Sequence, residues 1–207
     1  MVDLWTAVAT ERGALADDLA GISDEQWKSP TLCPDWSVRR VVGHLTATAT
    51  LTPASFLGSF ARSGFSFNRF ANAQIDKHLG PGNVATLANF RAVQHLTTSP
   101  PGPKQSWLGE VIVHAEDIRR PLGIAHTYDP GAVLEVAEFY KGSNTLIGTK
   151  SRIAGLSLKA VDADWKHGDG EEVSGPMISL LMAMTGRAAA CDDLTGPGVA
   201  KLRAGGH

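Results

Sequence analysis

Cysteine is nearly missing from this chain. Cys33 and Cys191 stand far apart and belong to no CxxC motif, which excludes a disulfide scaffold and a cysteine-built zinc site. Such sparing use fits a reducing cytoplasm. Basic clusters are missing too. None exceeds the pairs Arg39, Arg40 and Arg119, Arg120, and 19 Lys and Arg against 21 Asp and Glu leave a formal charge of −2. Neither a nucleic-acid nor an anionic-membrane partner is therefore expected. No run approaches the roughly 18 apolar residues of a membrane span. The opening MVDLWTAVATERGALADD meets acidic residues and Arg12 before an apolar run develops, unlike a signal peptide. GxSxG, the P-loop and GxGxxG after a strand are all absent, which removes the common nucleophile elbow and nucleotide-binding loops. What is present is 43% hydrophobic residues in 207, enough for one large domain or two small ones.

Periodicity predicts a mainly α protein. From Val2 to about Ala20, Leu4, Val8, Leu15 and Leu19 recur at helical spacing and Gly21 supplies a stop. In the loop that follows, Trp27 and Trp36 read as anchors packed back onto this helix. Ser37 is a plausible N-cap for a second helix through about Leu57, with Val38, Val41, Val42, Leu45 and Ala49 on one face. A third arm runs from Phe65 to His78, breaks at Gly80-Pro81-Gly82, and resumes after an Asn83 cap to about Leu96. SPPGPK then launches a fourth helix, which Pro121 and Gly123 end. Four arms joined by modest loops predict an up-and-down bundle over residues 1–125. Residues 126–207 read as a small C-terminal α/β domain. It has a helix from Asp129 and Pro130 to about Ile147, an alternating strand GLSLKAVDADW, a tight hairpin at HGDGE, and an apolar helix closed by Gly186.

The fourth helix, WLGEVIVHAEDIRRPLG (107–123), carries two surfaces. Leu108, Val111, Ile112, Ala115 and Ile118 form an apolar stripe, while Glu110, His114 and Asp117 share a separate narrow face. His44, on the second helix, lies on the shoulder of its own stripe, about 120° from the stripe's centre. Two helices packed by their stripes can turn both polar shoulders to one cleft. His44, Glu110 and His114 then offer two nitrogens and one oxygen to a divalent metal, with a position left open for water or a thiolate. A solvated glutamate and a packed histidine fit the same spacing. Asp117 either orients a ligand or assists proton transfer as a catalytic residue, or pairs with Arg119 or Arg120. Cys33 shows no basic neighbour in sequence and reads as inert. His78, His95, His126, His167 and His207 have no partner at ligand spacing and are assigned to surface or loop.

LCPDWSVRRVVGHL and GEVIVHAEDIRRPLG, together with the C-terminal DADWKHGDGEEVSGP and LMAMTGRAAACDDLTGPG, resemble segments of the mycothiol-dependent maleylpyruvate isomerase family, within the wider DinB/YfiT-like metalloenzymes. The resemblance implies a DinB-like four-helix bundle with a small C-terminal domain. It implies a divalent metal, Zn2+ first, on His44, Glu110 and His114, and mycothiol as thiol cosubstrate. The expected activity is a thiol S-transferase or isomerase acting on a small electrophile or small organic acid, with a metal-bound thiolate as nucleophile. In that setting Arg119 and Arg120 are candidates for binding the anionic substrate or cofactor. The protein would be cytoplasmic, a monomer or a homodimer. A metal-dependent hydrolase using bound water, and a non-catalytic metal- or ligand-binding stress protein, are the alternatives.

Overall fold

The computed structural model describes residues 3–144 and 147–206. Backbone packing divides the chain into two compact units, Asp3–His126 and Thr127–His207.

In the first unit α1 (Leu4–Ala20) starts at Asp3, whose side chain accepts from the Trp5 and Thr6 amides, and buries Val8, Leu15 and Leu19. A short 3-10 turn, Gln26–Lys28, buries Trp27. α2 (Val38–Thr50) begins after Ser37 as expected, yet the Ser37 side chain makes no capping bond. It also ends sooner than its pattern predicts. Thr52 adopts extended backbone before Pro53, which disfavours helix there, and caps a separate α3 (Pro53–Arg62) that buries none of its residues. The broken third arm is two helices, α4 (Phe67–His78) and α5 (Asn83–Ala92). Gly82 holds the cap position of α5, and Asn83 instead donates to Asp24 at 2.8 Å. α6 (Lys104–Leu122) closes on Gly123, whose φ of 66° suits a residue without a Cβ.

The core of this unit forms where α2 meets α4, α5 and α6, and where α1 meets α5 and α6. The expected stripe of α6, Leu108, Val111, Ile112, Ala115 and Ile118, is 2% exposed or less throughout. Burial of each such side chain contributes about 1.5–3 kcal/mol, so packing alone fixes which way the polar face of α6 points.

The second unit opens with α7 (Pro130–Tyr140), capped by Asp129 accepting from Ala132. This helix stops at Tyr140, short of the expected reach to Ile147; positions 145 and 146, like Val2 and His207, lie outside the described residues. After the short α8 (Thr149–Arg152) come β1 (Leu156–Ala160), β2 (Lys166–His167) and β3 (Glu171–Gly175), ordered β2-β1-β3. The predicted hairpin at HGDGE is not one. β2 pairs antiparallel with β1, whereas β3 crosses to the other side of β1 and runs parallel to it. Gly168 (φ 82°) makes the crossing, where a Cβ would collide with the Leu156 carbonyl. α9 (Met177–Met184) covers the sheet with almost wholly buried side chains, and α10 (Val199–Ala204) follows a second 3-10 turn, Ala188–Asp193. The described helices and small three-stranded sheet confirm a mainly α chain with an α/β C-terminal unit.

Candidate metal centre

With their stripes buried, α2 and α6 bring their polar shoulders together. His44 Nε2 bonds Glu110 Oε1 across the two helices, and His114 Nε2 lies 3.7 Å from the same oxygen, one turn along α6. The imidazoles meet edge to face with centroids 4.9 Å apart. The three ligand atoms all lie within 4.8 Å of one another. Their side chains are 13%, 24% and 11% exposed for His44, Glu110 and His114, so one side of the cluster remains accessible.

Asp117, fully buried, takes up the other face of the His114 ring at 2.8 Å from Nδ1. An ionised carboxylate only accepts, so the Nδ1 proton belongs to the imidazole and the Nε2 lone pair is left for the cluster. That arrangement is what a metal-ligating histidine needs. Two imidazole nitrogens and a carboxylate oxygen suit a divalent first-row metal, zinc included, with coordination left over for a further ligand.

Arg119 and Arg120 are not brought to this face. Arg119 lies about 140° around the helix from His114, is fully buried, and bonds Asp18 at 2.8 Å with Glu11 at 3.8 Å. Arg120 pairs with Glu116 one turn back at 2.8 Å. The Arg119 guanidinium ties α6 to α1, whereas the Arg120 pair lies within α6 itself.

Three neighbours escaped the sequence reading. Trp36, expected to pack against α1, instead sets its ring at a tilt on His44 (4.8 Å) and near His114 (6.1 Å). Cys33, half-buried in the same loop, brings its sulfur within 4.8 Å of ligand atoms of His114 and Asp117, so it does have a basic neighbour. The Leu32 amide, donating to the Asp117 carbonyl at 3.1 Å, pins that loop to α6. Only the distance to the histidines along the chain hid these two. Arg12 carries a signal in the sequence: it falls on the apolar stripe of α1, between Val8 and Leu15. The residue is 4% exposed, and burial pulls its pKa down to about 10, still cationic at neutral pH. His126, read as a surface residue, bonds Glu11 at 2.9 Å.

The arrangement defines a class: a DinB-like helical bundle with a candidate metal centre between two helices and a small α/β unit after it. Residues 8–99 match the model of the mycothiol maleylpyruvate isomerase N-terminal domain; that span includes His44 and ends before Glu110 and His114. The chain is also similar to the solved structures of a mycothiol-dependent maleylpyruvate isomerase and of a histidine-to-alanine mutant of it. Each is 14% identical, with 94% of this chain and 92% of that chain covered and a TM-score of 0.59. The first part of the chain is thus similar to that N-terminal domain, and the chain as a whole shares the fold of these structures. It has no significant match among curated protein sequences.

Proposed function

We propose that this protein is a metal-dependent thiol enzyme. It holds a divalent cation, zinc first, on His44, Glu110 and His114, and uses mycothiol as cosubstrate to isomerise or conjugate a small electrophilic organic acid. The observation that carries this reading is the convergence of three ligand atoms from α2 and α6 on an accessible patch, in a chain whose residues 8–99 match the family's N-terminal domain. A divalent cation held there supplies the positive charge that keeps a thiol deprotonated at neutral pH. The protein's own residues do the rest. Asp117 is a positioning residue that fixes the tautomer and direction of His114. Trp36 lies against one side of the histidine pair. A low-molecular-weight thiol belongs to a reducing cytoplasm, and no described helix is long and apolar enough to cross a membrane.

Elemental analysis of purified wild-type and His114→Ala protein tests the first layer. About one equivalent of divalent metal is expected in the wild type and little in the variant; equal content in both removes His114 from the ligand set. The second layer is tested by presenting metal-loaded enzyme with mycothiol, other thiols, or none, and one acidic electrophile. Turnover is expected with mycothiol, and equal turnover without any thiol overturns the thiol chemistry.

A further inference from the structure

Five of the seven phenylalanines in this chain fall between residues 56 and 70. They form one aromatic cluster on α3, α4 and the turn between them. Phe70, buried at its base, meets Phe56, Phe60 and Phe67 with ring centroids 5.0, 5.9 and 6.1 Å apart, and Phe65 stands edge to face with Phe60 at 5.6 Å. The outer side of the cluster faces solvent. Phe65 is 72% exposed, Phe67 46%, and Leu57 62%; Leu57 lies about 60° around α3 from Phe60. Phe65 also has left-handed backbone, with φ 56°. That conformation is costly for a bulky side chain, and burial within the chain does not offset it.

A helix as short as α3 draws its stability from packing an apolar face, yet α3 buries none of its residues. From Thr52 to Ile75 the only charged residues are Arg62 and Arg69. Phenylalanine with arginine, and no Lys, Asp or Glu, is the composition of an interface centre and not of a solvated surface. The area agrees. Taking roughly 200 Å² for a whole large side chain, Leu57, Phe65 and Phe67 expose about 350 Å² between them. A standard interface covers about 800 Å² of each partner, somewhat over half of it apolar. The half-buried Phe56 and Phe60 supply most of the remainder.

The patch is complementary to itself. Rings pack edge to face on rings. The Arg69 guanidinium lies beside Gly64 and has no carboxylate in ion-pair contact among the described residues. A second patch offers it the aromatic faces on which arginine stacks. An anionic bilayer is the poorer occupant, since two arginines on a chain of formal charge −2 gain little from it. We propose that a second copy of this chain covers the patch, in a two-fold dimer that packs α3 and the α3–α4 turn of each copy on those of the other. The dimer stands independently of the metal and thiol reading.

Sedimentation equilibrium of the full-length protein, up to about 200 μM, tests this; a dimer with a dissociation constant of about micromolar or tighter is expected. Phe65→Glu should weaken it by at least about 30-fold, the loss typical of an interface hot spot, and Leu57→Glu should weaken it by about tenfold. Both positions are exposed, so both variants should keep the wild-type helical content by circular dichroism. Val161→Glu, at a 67% exposed apolar position in the C-terminal unit, should leave the dissociation constant unchanged. Hydrogen exchange locates the contact: amides of residues 53–67 should exchange more slowly as the dimer fills. A chain that stays monomeric throughout overturns the proposal. So does a dimer that both patch variants leave intact, that Val161→Glu weakens equally, or that forms without slowing exchange in residues 53–67. Monomeric protein that sediments with vesicles of phosphatidylcholine and phosphatidylglycerol, and loses them in Phe65→Glu, overturns it in favour of a lipid surface.

Discussion

The two units fill their interiors with different materials. The bundle buries Glu11, Arg12, Glu116, Asp117 and Arg119 along with His114, all on α1 and α6. The C-terminal unit packs Leu156, Leu158, Val173, Leu180, Leu181 and Met182 around its sheet, and Arg187 is its one buried charged side chain among the described residues. Apolar burial stabilises directly, whereas a buried charge must first recover its desolvation through partners. The difference teaches where function sits. One interior is built for packing, and the other accepts the cost of charge along α1 and α6, the second of which bears Glu110 and His114 of the candidate centre.

The strongest way to break that contrast is to remove a ligand. His114→Ala should lower metal affinity by more than about 100-fold, beyond the 10–100-fold typical of losing a supporting residue behind a ligand. Dialysis against a chelator followed by elemental analysis reads it, and retained metal would end the assignment. Next come two stability changes of similar size and opposite origin. Leu158→Ala, on the central strand with no exposed surface, should cost about 2–5 kcal/mol through a cavity while metal content stays at the wild-type level. Asp18→Ala should cost about 3 kcal/mol because Arg119 stays buried and loses its 2.8 Å carboxylate, with Glu11 farther off at 3.8 Å. Denaturant melts of both variants compare the two interiors. A loss under about 1 kcal/mol in Asp18→Ala would show that the bundle tolerates the loss of a buried charge's nearest partner after all.

The bundle was legible because its signal is periodic. The stripe of α6 and that of α2 gave both the packing faces and, by subtraction, the shoulders that carry His44, Glu110 and His114. Connections were less legible. Helix α3 continued the pattern of α2 so smoothly that only the geometry before Pro53 separates them, and β3 pairs parallel to β1 for reasons of long-range packing that HGDGE does not encode. The surroundings of the histidines were illegible for a third reason. Trp36 and Cys33 approach His114 from a loop about 80 positions earlier, and no periodicity links a loop to a helix face. Arg12 is the instructive case, since a charge on an apolar stripe is visible in sequence, yet that it meets backbone carbonyls and no carboxylate among the described residues is visible only in the fold.

Asp117→Asn sharpens the comparison at smaller scale. The amide can still face His114, but its carbonyl is a weaker acceptor and its NH2 group favours the wrong tautomer. Metal affinity should fall by about 10–100-fold, with the protein folded and its helical content unchanged by circular dichroism. An unchanged affinity would reduce Asp117 to a packing residue.

The smallest expected effect isolates the principle, because it lies one residue from a large one. Asp17 and Asp18 are consecutive on α1, and each faces an arginine. Asp17 meets Arg91 at 3.3 Å with side chains 83% and 48% exposed, whereas Asp18 meets a fully buried Arg119 at 2.8 Å. Water screens the first pair and leaves Arg91 solvated when its partner is removed, so Asp17→Ala should change stability by no more than about 1 kcal/mol. Denaturation at low and high salt would check it, and the small difference that exists should vanish as salt rises. The Asp18→Ala loss should persist in the same salt series, because no counterion reaches the buried guanidinium. If both variants lost the same stability with the same salt dependence, burial would not be what separates these pairs, and the contrast between the two interiors would lose its physical basis.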